Sequence, residues 1–205
     1  MSSDPAAPVR PRPPGSRWSG LHTLVASLAV LGLVADQVTK GLAVSSLSDG
    51  SVVPLVGDVL SLRLIRNSGA AFSVGEGTTW IFTVAAVVVV VVILRASRRL
   101  GSRAWALTLG LLLAGAAGNL TDRLVRQPGP GRGHVVDFID YNGWFVGNLA
   151  DIFIVGAAAA VALLGLRGIS VDGSRHSDRT EDRTEEPTEK TDATGPPGPP
   201  GTADA

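Results

Sequence analysis

The chain has 205 residues, 45% of them hydrophobic and only 18% charged, with a mean hydropathy of +0.28, which excludes an ordinary water-soluble globule. The formal net charge of zero hides a division, because residues 1–169 carry +5, residues 170–205 carry −5, and ten of the 13 prolines fall in residues 1–16 and 170–205. Cysteine is absent, so a disulfide scaffold, a thiol nucleophile and a cysteine-ligated zinc site are excluded.

In chain order, residues 1–17 form a basic, proline-rich segment with Arg10, Arg12 and Arg17, expected as a disordered cytoplasmic tail. Next come the uncharged runs Trp18–Ala35, Trp80–Leu94 and Ala104–Thr121, then Tyr141–Ala150, which joins Ile152–Leu166 across Asp151. A hydrocarbon core of about 30 Å takes roughly 20 helical residues, so these runs predict four transmembrane helices near 20–42, 78–95, 104–122 and 147–167. The first resembles a signal peptide after its basic flank, but its apolar run is too long and it carries Asp36, so a retained span is expected. Between spans one and two, Val52–Leu55 and Val59–Ile65 alternate well enough to predict a small extracytoplasmic β element. The run Ala85–Leu94 is β-branched, yet its length and basic flank favour a membrane helix over a buried strand. Residues 170–205, acidic and rich in Pro and Gly, are expected as a second disordered tail. The fold class is therefore an integral membrane, mainly α protein whose membrane domain occupies residues 18–169.

Orientation follows from the arginines at 10–17, at 95–103 and at 167, which place those three segments and both termini in the cytoplasm. Five polar clusters then fall on the outer side. They are Asp36-Gln37-Val38-Thr39-Lys40, Arg66-Asn67-Ser68-Gly69-Ala70-Ala71-Phe72, Gly118-Asn119-Leu120-Thr121-Asp122-Arg123, Val135-Val136-Asp137-Phe138 and Asn148-Leu149-Ala150-Asp151. Ionisable groups at membrane depth are costly, and each is a functional candidate.

Asp36 and Lys40 stand four apart on one helical face, where they neutralise each other while the Lys stem reaches outward to the interface. Asn119 and Asp122 share a face, and Arg123 beside them can pair with a carboxylate or orient a substrate carbonyl. Gly115-Ala116-Ala117-Gly118 permits close approach of a helix or a ligand. Asp137 and Asp151 are the pair on which chemistry is expected. Two carboxylates held together at low dielectric share a proton, so that one deprotonates water while the other polarises a carbonyl. Asn148, three residues before Asp151, is expected to donate to its carboxylate. Asp122 and Asp140 compete as partners, and residue types alone do not choose among them. A Ser68–Lys40 nucleophile has nothing in its spacing to specify it. A metal at His134 and Asp137 lacks further histidines, since the others are His22 and His176, and there is no Gly-rich phosphate loop. No metal, cofactor or nucleic-acid partner is expected.

DQVTK at 36–40, RNSGAAFS at 66–73, GNLTDR at 118–123, VVDFID at 135–140 and NLADIFI at 148–154, in this order, resemble the sequence boxes of the lipoprotein signal peptidases, the signal peptidase II family. The resemblance spans about residues 20–167. It implies an aspartic endopeptidase of the bacterial inner membrane, most simply a monomer, that removes signal peptides from diacylglyceryl-modified prolipoproteins on the N-terminal side of the lipidated cysteine. By motif, Asp137 and Asp151 would be the catalytic dyad. Asn67, Asn119, Asp122, Arg123 and Asn148 would position the substrate, with Asp36 and Lys40 supporting from span one. The segment YNGWFVG between Asp140 and Asn148 is short for the family, which implies a reduced cover over the site. The alternative from residue chemistry alone is a small proton-coupled transporter or channel subunit, though no inverted repeat is visible.

Overall fold

The computed structural model describes residues 15–69 and 79–174. The order is α1 Gly15–Leu47, β1 Val52–Val56, β2 Leu60–Asn67, α2 Thr79–Ser97, α3 Arg103–Val125, β3 Val135–Tyr141, β4 Phe145–Gly147 and α4 Leu149–Leu166. The four helices are each long and apolar enough to cross a membrane.

Helix α3 is the axis of the bundle, with half of its membrane-length window buried against 11–17% in the other three. Small residues make this possible. A Cβ at Gly110 would sit 2.9 Å from Leu28 Cβ, one at Gly115 would sit 2.5 Å from the Ala150 carbonyl oxygen, and one at Gly32 of α1 would sit 2.6 Å from Ala114 Cβ. The backbones of α1, α3 and α4 therefore approach more closely than side chains would allow, as small-residue membrane interfaces do. The small-residue run at 115–118 serves helix packing.

Helix α1 runs five residues beyond its expected end at 42. Asp36 and Lys40 do not interrupt it, because their charges are compensated inside the bundle, and it stops only at the turn where Gly50 adopts φ +85°. The fourth helix begins at Leu149, not 147, because residues 145–147 belong to a strand.

The segments following α1 and α3 join in one antiparallel sheet, in the order β1-β2-β3-β4. The expected strands appear as β1 and β2, with Val52 opposite Arg63. Strand β3 was not expected, and it is the central feature of the sheet: Ile65 pairs with Asp137, Asn67 with Val135, and Ile139 with Gly147 of β4. Its period-2 alternation is masked because both faces are covered. Val136 and Phe138 pack on Ala43 and Leu47 at the end of α1, while Val135 and Asp137 point to the opposite face, into a cavity. Asn142-Gly143, with φ +53° and +75°, closes the β3–β4 hairpin.

At the opposite end of the bundle, Gly101 N–H donates to the Val171 carbonyl at 3.0 Å and Trp105 Nε1 to that of Ile169 at 3.0 Å. Residues 170–174 form a turn in which Ser170 N–H donates to the Ser174 carbonyl at 2.9 Å. Residues 175–205 of the expected tail, residues 1–14 and residues 70–78, the last including Ala70–Ser73 of the second box, lie outside the described residues.

Candidate active site

The site lies where the sheet meets the ends of α1, α3 and α4. It starts from a local event, the beginning of α4. Asn148 is the N-cap: its side-chain oxygen accepts from Asp151 N–H at 3.1 Å, and the Asp151 Oδ2 accepts from Asn148 N–H at 3.0 Å. Such a capping box satisfies two otherwise orphaned amides and places Asp151 at the positive end of the helix. Asp151 therefore stands in the first turn of the fourth span.

With its oxygen held by the cap, the Asn148 amide nitrogen faces away from Asp151. It donates to Asp137 Oδ1 at 2.6 Å and to Asn119 Oδ1 at 3.2 Å. Asn148 thus donates to the Asp151 carboxylate through its backbone N–H, while its side-chain amide turns to Asp137 and Asn119. Asn67, from the end of β2, donates to Asp137 Oδ2 at 2.8 Å, and Asn119, from α3, donates to Asp151 Oδ1 at 2.9 Å. Each carboxylate thus meets an N–H donor at both oxygens, and one asparagine touches both halves. Asp137 is 2% exposed, and burial pushes its carboxyl from 3.8 up to about 6 despite the donors from Asn67 and Asn148.

Behind this layer lies a buried ion network. Lys40 Nζ meets Asp36 Oδ2 at 2.9 Å and Asp122 Oδ2 at 2.9 Å, and Arg126 Nε meets Asp122 Oδ1 at 2.6 Å. The Asp36–Lys40 pair forms as its spacing implied, but the lysine does not reach outward: it is fully buried, because two carboxylates and an asparagine receive it inside the bundle. Asp36 also accepts from Ala150 N–H at 3.0 Å, and Asp122 from Val136 N–H at 3.1 Å, tying α1 and α3 to α4 and β3. Asp122 has no exposure and is engaged by Lys40, Arg126 and the Val136 N–H. Arg123 forms no close ion pair among the described residues; its Nη1 donates to the carbonyls of Asn67, Ser68 and Gly133 at 3.3, 3.0 and 3.1 Å, with Phe82 beneath the guanidinium at 5.7 Å. Asp140, the other sequence competitor, turns away to Arg63 at 3.1 Å and caps the hairpin through Gly143 N–H at 2.8 Å.

A cavity of about 220 Å³ brings together Asn67, Asn119, Arg123, Asp137 and Asp151, with Phe82 and Phe145 among its walls. A second, largely apolar hollow of about 480 Å³ runs along α4 past Ile152, Val155 and Gly156, and shares Phe145 and Asp151 with the first. Sequence reading did not single out Gln37, Phe82, Arg126 or Phe145. Gln37, whose amide reaches Asp36, Gly118 and Asp122, sat unassigned inside a recognised box, and Arg126 stood four residues after Asp122, the spacing of a helical ion pair. The two phenylalanines carried no signal in the sequence.

Two carboxyl side chains on one polar cavity, with an apolar groove beside it and four helices long and apolar enough to cross a membrane, make this a polytopic membrane protein with a paired-carboxylate site. The model of the signal peptidase (SPase) II family matches residues 28–167, and the chain belongs to that family. It is 46% identical over 179 residues to a lipoprotein signal peptidase of Mycobacterium tuberculosis (strain ATCC 25618 / H37Rv), covering 86% of this chain and 85% of that one. To the lipoprotein signal peptidase of Rhodococcus jostii (strain RHA1) it is 45% identical over 172 residues, covering 84% and 85%. A solved bacterial membrane enzyme, determined by the in meso method at 1.9 Å resolution, superposes with a TM-score of 0.62 at 25% identity, covering 70% of this chain and 92% of that one. The chain is accordingly a multi-pass membrane aspartic peptidase with signal peptidase II function, and the transporter reading finds no support.

Proposed function

We propose that Asp137 and Asp151 are the catalytic dyad, acting on diacylglyceryl-modified prolipoproteins by hydrolysing the peptide bond before the lipidated cysteine. The observation that carries this reading is their convergence: both carboxylates line one cavity, bridged by Asn148, although they come from a strand and a helix of different registers.

Burial raises the Asp137 carboxyl, which suits it to carry the proton that the pair shares, while Asp151 stands in the first turn of α4. Asp151 takes a proton from water, the resulting hydroxide attacks the scissile carbonyl carbon, and Asp137 gives its proton to the carbonyl oxygen. Collapse of the gem-diol breaks the C–N bond: Asp151 returns its proton to the departing amine, and Asp137 recovers one from the diol. Asn67, Asn119 and Asn148 hold the two carboxylates, and Arg123 fixes the strand end that shapes the cavity. Asp36, Lys40 and Asp122 support them from behind, so we assign Asp122 to the ion network instead of to substrate contact.

The apolar hollow along α4 suits an acyl chain or the signal helix. A diacylated substrate leaves the bilayer only at great cost, about 0.8 kcal/mol for each buried CH₂, so a protease for it must work at the membrane surface. The site then faces the extracytoplasmic side of the bacterial inner membrane, with both termini cytoplasmic and the protein monomeric in surrounding lipid. The arginines at 95–103 and 167 support this orientation. Purified protein should cleave a diacylated lipobox peptide before its cysteine and leave the non-acylated peptide essentially intact, as read by product mass. Equal cleavage of both peptides would reject the lipid-dependent reading.

A further inference from the structure

Lys40 has no solvent exposure, and no proton transfer in the chemistry just described passes through it. All three of its N–H donors are occupied, by Asp36 Oδ2, by Asp122 Oδ2 and, at 3.0 Å, by Asn119 Oδ1. An ammonium donates and never accepts, so the atom of Asn119 that faces it must be the carbonyl oxygen. The amide nitrogen of Asn119 is thereby turned the other way, onto Asp151 Oδ1 at 2.9 Å. A flipped Asn119 would oppose two donors at Lys40 and two acceptors at Asp151. Asn148 reinforces the choice, because its own amide also donates to Asn119 Oδ1.

We infer that Lys40 is a positioning residue of the reaction: acting through Asn119, it decides which atom meets Asp151 and so holds that carboxylate in the direction from which it takes the water proton. Lys40 itself touches no substrate, having neither a free donor nor an exposed atom. The inference rests on the dyad reading above. Without the ammonium, only the 3.2 Å contact from Asn148 still holds the Asn119 oxygen, so the donor to Asp151 is less firmly fixed, while the groove along α4 is unchanged. The loss therefore belongs in kcat and not in KM.

Lys40→Met alone strands Asp36 without its cation and leaves Asp122 with Arg126 alone, so the charge-balanced Asp36→Asn/Lys40→Met protein is measured beside it, each in the wild-type and the Asn119→Ala background. Steady-state cleavage of the diacylated peptide over a range of concentrations by purified protein in detergent gives kcat and KM, and the thermal midpoint monitors folding. In the wild-type background the charge-balanced pair should lower kcat by about 10- to 100-fold with KM within about twofold, as expected for a misdirected catalytic group. In the Asn119→Ala background the same change should cost no more than about twofold, because the intermediary is already gone. Equal losses in both backgrounds, an unchanged kcat, a loss carried by KM, or failure of even the charge-balanced protein to insert would overturn the inference. Asp151→Asn is assayed in the same series: turnover retained there would reject the dyad itself, a result distinct from equal losses in the cycle.

Discussion

Replacing Asp137 by Asn should exchange activity for a change in how stability depends on pH. In the folded protein burial raises this carboxyl from 3.8 to about 6, which at 1.36 kcal/mol for each pH unit corresponds to about 3 kcal/mol. The sign follows from which state holds the proton. Below about pH 4 both folded and unfolded chains carry it, and the group is neutral toward folding. As pH rises toward 6 the unfolded chain releases the proton first, so the wild type progressively loses stability, and above about pH 6 the full 3 kcal/mol is lost. The asparagine side chain introduced by Asp137→Asn does not titrate, but its NH₂ must face a donor from Asn67 or Asn148, which costs about 1–3 kcal/mol at every pH. The variant should therefore be less stable than wild type at pH 4 and equal or more stable at pH 7.5, and inactive at both. Unfolding free energies from denaturing-detergent titrations of the two proteins at several pH values give the difference, in which the titrating groups not coupled to Asp137 cancel. Parallel curves would show that Asp137 titrates as an ordinary carboxylate and would refute the argument from burial.

Gly118→Val should lower stability by about 1–3 kcal/mol and reduce turnover, because a Cβ there lies 2.5 Å from Asp36 Oδ2 and 3.3 Å from Ala150 Cβ; unfolding titrations with activity check this. Asp140→Asn should keep turnover within about threefold, since its Arg63 partner is 41% exposed and such pairs contribute little; cleavage rates decide. Truncation after Ser174 should leave cleavage unchanged, because residues 152–166 of α4, about 22 Å of helix, separate that end from Asp151; a large fall at equal inserted protein would contradict it.

The membrane spans were legible because apolar length is a one-dimensional property that packing hardly alters. Residues 36 and 40 were legible as a pair because helical spacing alone brings them together, but the direction of Lys40 depended on Asp122 and Asn119, which lie roughly 80 residues away in the chain. Strand β3 was missed for a related reason. Val135, Val136, Asp137 and Phe138 are all buried, on two different faces, so the alternation that marked β1 and β2 was absent, although Asn142-Gly143 was a hairpin signal within reach. The NLAD segment read as a polar site on a span, whereas its spacing, Asn with Asp three residues later, is also that of a capping box. That local duty is what turns the Asn148 amide toward Asp137, a consequence visible only once α4 is built on the cap.

The central claim is that Asp137 and Asp151 act together on one water. Single-turnover cleavage of a diacylated lipobox peptide by Asp137→Asn, by Asp151→Asn and by the double variant, at matched amounts of folded, inserted protein, tests it directly. Each single variant should lose essentially all turnover, and the double variant should be no worse than either, because two halves of one proton-sharing unit fail together. Near-wild-type turnover in either single variant, or a double variant whose loss is the product of two partial losses, would contradict the account.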